Sequence, residues 1–323
     1  MRFGWWVVLV LTLAASIVAG VMSGAMPLSA HDVLNGLLGS GTPVSIAVVR
    51  TLRLPRVLLA ALVGFGLAAA GASLQGATRN RLAEPYLLGV SGGAAVGAVL
   101  AVALRAPRGT VPLAGFAGAL LAVILTLAVA RASGARGDAR VVLMAGVVVG
   151  AFANAVIMVA LANADASAIR GALWWMMGSV ADADWTQVWT LSLFVLAGTA
   201  VLMLLGPSID VLALGSDTAA GLGVNVARVT IGVYVAGAVL AAGTVSAAGL
   251  VGFVGLLVPH LVRLAGARTH RTIIAAAALG GASLVVLADL LARTAMPPSE
   301  LPLGAVTALL GVPCFFILLR KLA

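Results

Sequence analysis

The sequence predicts an all-α membrane protein of about ten transmembrane helices, with both termini in the cytoplasm. Three observations carry this. First, 62% of the 323 residues are hydrophobic and only 9% are charged, whereas soluble domains carry roughly 25% charge. Second, apolar stretches of about 20 residues, the length that crosses a bilayer, follow one another along the chain. Third, the 39 glycines suit helices whose backbones approach closely in lipid.

Cutting at charges and at Pro/Gly-rich breaks gives candidate spans near 5–26, 53–77, 85–104, 112–130, 141–161, 187–206, 228–248, 250–267, 272–292 and 302–319. The first follows Met1-Arg2-Phe3 as a secretory leader would. Its apolar run from Trp5 to about Met26 exceeds the 7–15 residues of a leader's core, so it reads as a retained helix. The second opens with Arg53-Leu54-Pro55-Arg56, and proline suits a first helical turn. Gly64, Ala68, Ala72 and Gly76 then recur every four residues, as do Gly89, Gly93 and Gly97 in the third span. These stripes read as close helix packing and also leave room for a translocation path.

Residues 170–185, with Trp174, Trp175, Met176 and Met177 in a row, read as an interfacial outer segment, because tryptophan favours the membrane–water boundary. Residues 207–227 form the longest inner loop. Ser216 as N-cap, Asp217 after it and Gly223 as stop predict a short surface helix at about 215–224. The stretch 228–262 holds Arg228 as its single charge. As one helix it would be about 50 Å long, far beyond a ~30 Å hydrocarbon core. It must turn, at Gly249, Gly252 and Gly255. In the ninth span Asp289 and Arg293 fall four apart on one face and read as an ion pair. No soluble domain interrupts the chain, and residues 1–323 read as one transmembrane domain.

With the N-terminus inside, inner segments carry twelve basic residues and outer segments seven, the bias expected of cytoplasmic loops. The outer seven are Arg50, Arg53, Arg56, Arg105, Arg108, Arg170 and Arg293. Arg53 and Arg56 read equally as snorkelling anchors or as an outward basic site for an acidic partner.

The charge of +9 does not indicate nucleic acid, because the arginines are scattered singly between apolar runs. One cysteine, Cys314, excludes an intrachain disulfide and a cysteine metal site, and no cofactor or metal is expected. The sole lysine is Lys321, so no G-x-x-x-x-G-K-[ST] loop exists to grip nucleotide phosphates. ATP-driven work would need another chain. The best enzyme alternative is an intramembrane serine protease using Ser91, in Gly89-Val90-Ser91-Gly92-Gly93, with His260. That motif needs a strand–turn–helix context and is weak here.

The stretch RLPRVLLAALVGFGLAAAGASLQGATRNRLAEPYLLGVSGGAAVGA (53–98) resembles the signature of the permease subunits of type II ABC importers. GFVGLLVPHLVR (252–263), GARTHR (266–271), ADLLAR (288–293), ELPLGAVTALLG (300–311) and FILLRK (316–321) agree, as do WWMMGSVADADW (174–185) and LGVNVARV (222–229). The resemblance covers nearly the whole chain. It implies import of a ferric siderophore, haem or cobalamin across a bacterial inner membrane. It implies a homodimer with the path on its axis, two cytoplasmic ATP-binding subunits and a periplasmic substrate-binding protein. Arg53, Arg56 and Arg293 would dock that protein. Ser216, Asp217, Gly221, Leu222 and Gly223 would couple to the ATPase, and Ala151, Phe152, Ala153 and Asn154 would contribute to the cytoplasmic gate. Two departures stand out: Asn80-Arg81-Leu82-Ala83 where the family has Asn-Pro-Leu-Ala, and Gly249-Leu250-Val251 where it often has Gly-Pro-Ile. Tyr86 after Pro85 favours the siderophore-type members.

Overall fold

The computed structural model describes residues 3–24, 26–107, 109–133 and 139–320. Arg2, Arg108, Arg136 and Lys321, which enter the charge count above, lie outside them. The described residues are helical, with no strand among them.

Seven helices are long and apolar enough to cross a membrane. They are α1 (Phe3–Met22), α3 (Pro43–Ala77), α5 (Thr110–Ala132), α6 (Ala139–Ala162), α8 (Trp185–Leu212), α10 (Val226–Ala248) and α12 (His270–Thr294). Three of the ten expected segments form shorter apolar helices: α4 (Val90–Ala103), α11 (Val254–Leu264) and α13 (Leu303–Arg320). The remaining helices are α2 (Ala30–Leu38), α7 (Ala166–Met177) and α9 (Ser216–Gly221). At about 1.5 Å per residue, α4 and α11 fall well short of a ~30 Å core. Each starts at a break in the chain: residues 84–89 before α4 and 249–253 before α11.

The chain turns where the glycines predict. Gly249 takes φ +68 and Phe253 φ +66, so α10 ends at Ala248 and α11 begins at Val254, while Gly255 lies inside α11. Tyr86 holds this break. Its hydroxyl donates to the Val251 carbonyl at 3.0 Å and accepts the Val251 N–H at 3.1 Å.

The centre is α3, 78% buried over its most apolar window, against 17% for α1. The small-residue stripes explain how neighbours reach it. A Cβ on Gly64 would collide with the Gly281 carbonyl of α12, and one on Gly71 with the Gly255 carbonyl of α11. The backbones touch because no side chain separates them. A π-helical turn at Val48–Arg53 lies within α3 just before its Pro55.

Two sequence expectations are corrected. The inner loop does not begin at Pro207, because α8 continues through it to Leu212. Proline removes the N–H that would bond the carbonyl four residues back. Here that carbonyl, on Met203, accepts from Arg271 Nε at 3.1 Å, so the helix survives. The same device serves Pro259 in α11, whose orphaned Gly255 carbonyl accepts from Gln75 Nε2 at 3.2 Å. Next, the cap of α9 is Gly215 rather than Ser216. Gly215 has φ +124, a conformation open to glycine and strained for any side chain. Gly223, at φ +84, follows the helix as expected. Residues 170–185 form the end of α7 and a turn, with Leu173 48% and Trp174 54% exposed. Asp165 caps α7, and Gly178 at its end packs on the Leu250 carbonyl beside the 249–253 break. Helix α2, which the span reading missed, starts at Ser29 with a reciprocal bond to Asp32, a capping box.

Candidate functional site

The three arginines predicted to act together do converge. The end of α1, the start of the buried part of α3 and the end of α12 meet at one end of the molecule. Arg53 is 4% exposed. Its Nη1 donates to the Val21 and Met22 carbonyls at 2.9 Å, and its Nη2 to the Met26 carbonyl. Arg293 donates from Nη1 to the Ser23 carbonyl at 3.1 Å and from Nη2 to the Gly20 carbonyl at 2.7 Å. Both therefore cap the C-terminus of α1, whose last carbonyls lack helical partners and carry the negative end of its dipole.

Arg56 bridges two carboxylates. Its Nε and Nη2 donate to Asp289 Oδ1 at 3.0 and 2.8 Å, while Nη1 and Nη2 donate to Glu300 Oε1 and Oε2, both at 2.9 Å. Only a guanidinium, with five donors in a planar fork, can serve both at once. Asp289 is 2% exposed and Glu300 43%, so one partner is buried and the other lies at the rim. The expected Asp289–Arg293 ion pair is present at 3.4 Å, without a hydrogen bond from Arg293 Nε. The stronger partner of Asp289 is Arg56, which comes from a helix 233 residues away in sequence. Glu300 follows α12 in the 295–302 segment, and its carboxyl is held below the usual glutamate range, chiefly by the hydrogen bonds from Arg56. Trp185 Nε1 donates to the Arg50 carbonyl at 2.9 Å nearby.

At the opposite end, Asp210 of α8 accepts from the backbone N–H of His270 at 2.8 Å and pairs with its Nδ1 at 2.6 Å, which ties α8 to α12. Arg263 donates to Gln75 Oε1, so one buried amide serves α11 twice. Helix α9 lies at this end, with Leu222 64% exposed and with room for a Cβ on Gly221 and on Gly223. The residues expected at the gate lie along α6. Ala153 is buried against Gly92 of α4, whereas Ala151, Phe152 and Asn154 are exposed.

Between the ends lies Glu84, a carboxylate just outside the 85–104 span expected from the sequence. Its Oε1 accepts from the Phe253 N–H at 3.2 Å, at the start of α11. It precedes Pro85 in a turn, and a turn carries no hydropathy signal to mark its depth. The serine–histidine dyad does not form. No hydrogen bond joins Ser91 to His260 among the described residues, and the His260 ring lies edge-on to Phe315, centroids 6.3 Å apart.

The model of the FecCD transport family matches residues 11–321. The chain is 38% identical over 305 residues to the Fe(3+) dicitrate transport system permease protein FecC of Escherichia coli (strain K12), covering 92% of this chain and 90% of that one. It is 42% identical over 276 residues to the vitamin B12 import system permease protein BtuC of Vibrio cholerae, covering 85% and 83%. It is 35% identical over 274 residues to the hemin transport system permease protein HmuU of Yersinia pestis, covering 84% and 82%. A solved structure of a metal-chelate type ABC transporter in an inward-facing conformation superposes with TM-score 0.85 at 29% identity, covering 97% of both chains. The match spans the arginine cluster, the α10–α11 break and α9 alike, and the chain belongs to the FecCD transport family, the multi-pass permease subunits of ABC importers, which work with a separate ATP-binding subunit and a substrate-binding protein.

Proposed function

We propose that this chain is the translocation subunit of an importer that carries an iron chelate, a ferric siderophore or haem, from periplasm to cytoplasm across the bacterial inner membrane. The carrying observation is the near full-length match to permeases of ferric citrate and haem systems. Among the described residues no group of three His, Cys, Asp or Glu side chains could hold a metal ion. That suits a cargo that brings its own ligands. Cobalamin is the second reading, favoured by the 42% identity to a vitamin B12 permease. Uptake by the reconstituted complex discriminates the two. Accumulation of a labelled ferric chelate or haem supports the first reading. Accumulation of cobalamin alone replaces it.

In this reading residues 1–323 form one ten-span domain, with α4, α11 and α13 completing the bundle beside the seven long helices. The Arg53 end faces the periplasm and both termini the cytoplasm. Two copies form a homodimer around the path. The apolar face of α6, with Phe152 68%, Met144 69% and Val148 63% exposed, supports a partner there, and Ala151 to Asn154, midway along α6, gate the path on its cytoplasmic side.

Arg53, Arg56 and Arg293 form the dock for the binding protein. Arg56 makes the exchangeable contact, because an incoming carboxylate can take the rim seat of Glu300 while Asp289 stays buried. Arg53 and Arg293 fix the end of α1 beneath it. At the other end Ser216, Asp217, Gly221, Leu222 and Gly223 receive the ATPase stroke, an assignment that suits the exposure of Leu222.

A further inference from the structure

We infer that the end of the molecule carrying α9 holds a binding site for a phosphate-bearing anion, the class to which acidic lipid head groups belong. This rests on the orientation proposed above, which puts that end at the inner leaflet.

A cavity of about 890 Å³ opens there, within the size range of ligand clefts. It lies among the end of α3, the 78–81 turn, and the first turns of α6, α9 and α10. Among the described lining residues the charged ones are three guanidiniums, Arg79, Arg81 and Arg140, of which Arg140 has a further interaction of its own. Asn80, Ser216 and Thr230 add polar groups. Arg79 and Arg81 are exposed, and neither makes a side-chain hydrogen bond to another described residue. Of the described acids at this end, Asp210 is engaged by His270, and Asp217 lies in the first turn of α9 beside the lining residue Ser216.

The backbone supports the convergence. Arg79 sits at φ +52, a left-handed conformation uncommon outside glycine, and its Nη1 lies over Gly215 at the start of α9. A strained residue whose charge joins that of Arg81 at the cavity fits a ligand site better than a solvated surface. Arginine forks match phosphate oxygens two at a time, and basic pockets between helices on the cytoplasmic side accept anionic head groups. Arg228 and Arg268 are also exposed yet lie outside the cavity lining, so they serve as internal controls for unspecific attraction.

The test is titration of the purified full-length chain, followed by native mass spectrometry, with phosphatidylglycerol, phosphatidylcholine or inorganic phosphate. Saturable phosphatidylglycerol binding is expected, weakened about 25-fold by Arg79→Gln/Arg81→Gln, since each arginine is worth roughly fivefold. Arg228→Gln/Arg268→Gln should leave it intact. Arg79→Lys/Arg81→Lys, which keeps the charge and removes the forks, should show an intermediate loss and covers the case that the glutamine pair fails to fold. Inorganic phosphate binding with the same arginine dependence, and no preference for phosphatidylglycerol, keeps the site and makes its ligand soluble. Equal losses in the cavity and control pairs overturn the proposal. So does unchanged anion binding in the cavity pair with weakened association of the ATP-binding subunit, which would mean that these arginines meet protein carboxylates.

Discussion

Removing Asp289 probes the arginine cluster most sharply. Its carboxylate is 2% exposed and is the buried counter-charge for Arg56, at 12%, and for Arg293, at 5%. Asp289→Ala leaves both guanidiniums among helices with less compensation. Breaking a buried pair from one side costs about 3–5 kcal/mol. The lower end applies here, because Glu300 still binds Arg56 and backbone carbonyls still bind Arg293. The expected loss is therefore about 3 kcal/mol, roughly 150-fold in the unfolding equilibrium. Glu300→Ala removes a rim partner that is 43% exposed and should cost no more than about 1 kcal/mol. Equilibrium unfolding in mixed micelles, read by tryptophan fluorescence, measures both. A double change, Arg56→Met with Asp289→Leu, should recover part of the loss, because apolar replacement of a buried pair is often neutral while Arg293 still lacks its counter-charge. If Asp289→Ala costs no more than Glu300→Ala, the buried carboxylate does not organise this end.

Other outcomes follow from the same geometry. Gly71→Val, pressed against the Gly255 carbonyl, should destabilise by about 1–3 kcal/mol through overpacking in the same assay, while Gly221→Ala, in open space, should change stability little. Gln75→Leu should cost about 1–3 kcal/mol, because it strips the carbonyl freed by Pro259 of its donor and Arg263 of its acceptor. The depressed carboxyl of Glu300 sets a pH dependence. The Arg56–Glu300 contribution is fully present above the unfolded value of about 4.3 and is lost as pH falls through the lower folded one. The stability difference between wild type and Glu300→Gln should thus be constant above about pH 5 and shrink below about pH 4. A difference that grows on acidification contradicts the assigned pairing.

Hydropathy made the long helices legible, because a span must be apolar over its whole length whatever it packs against. The α10–α11 turn was legible for a related reason: a helix of that length does not fit a bilayer, and glycines marked the place. What escaped depended on partners distant in sequence. Pro207 read as a stop because nothing local shows that Arg271 will satisfy the Met203 carbonyl. Arg53 and Arg293 read as outward charges because their partners are backbone carbonyls at the end of α1, which no side-chain pattern reveals. Arg56 could be singled out but not paired, since Asp289 reaches it across the bundle rather than along one helix. Glu84 was invisible for a third reason, as a charge in a turn looks the same at the surface and at depth.

The division of labour, in which this chain moves cargo while another chain hydrolyses ATP, is open to measurement. It is tested most directly in proteoliposomes by ATP-dependent uptake of a labelled ferric chelate, with the chain alone and then with its ATP-binding subunit and binding protein. Accumulation is expected only when all three are present, with no saturable magnesium-dependent ATP binding by the chain alone. Uptake or ATP hydrolysis by the isolated chain would contradict it.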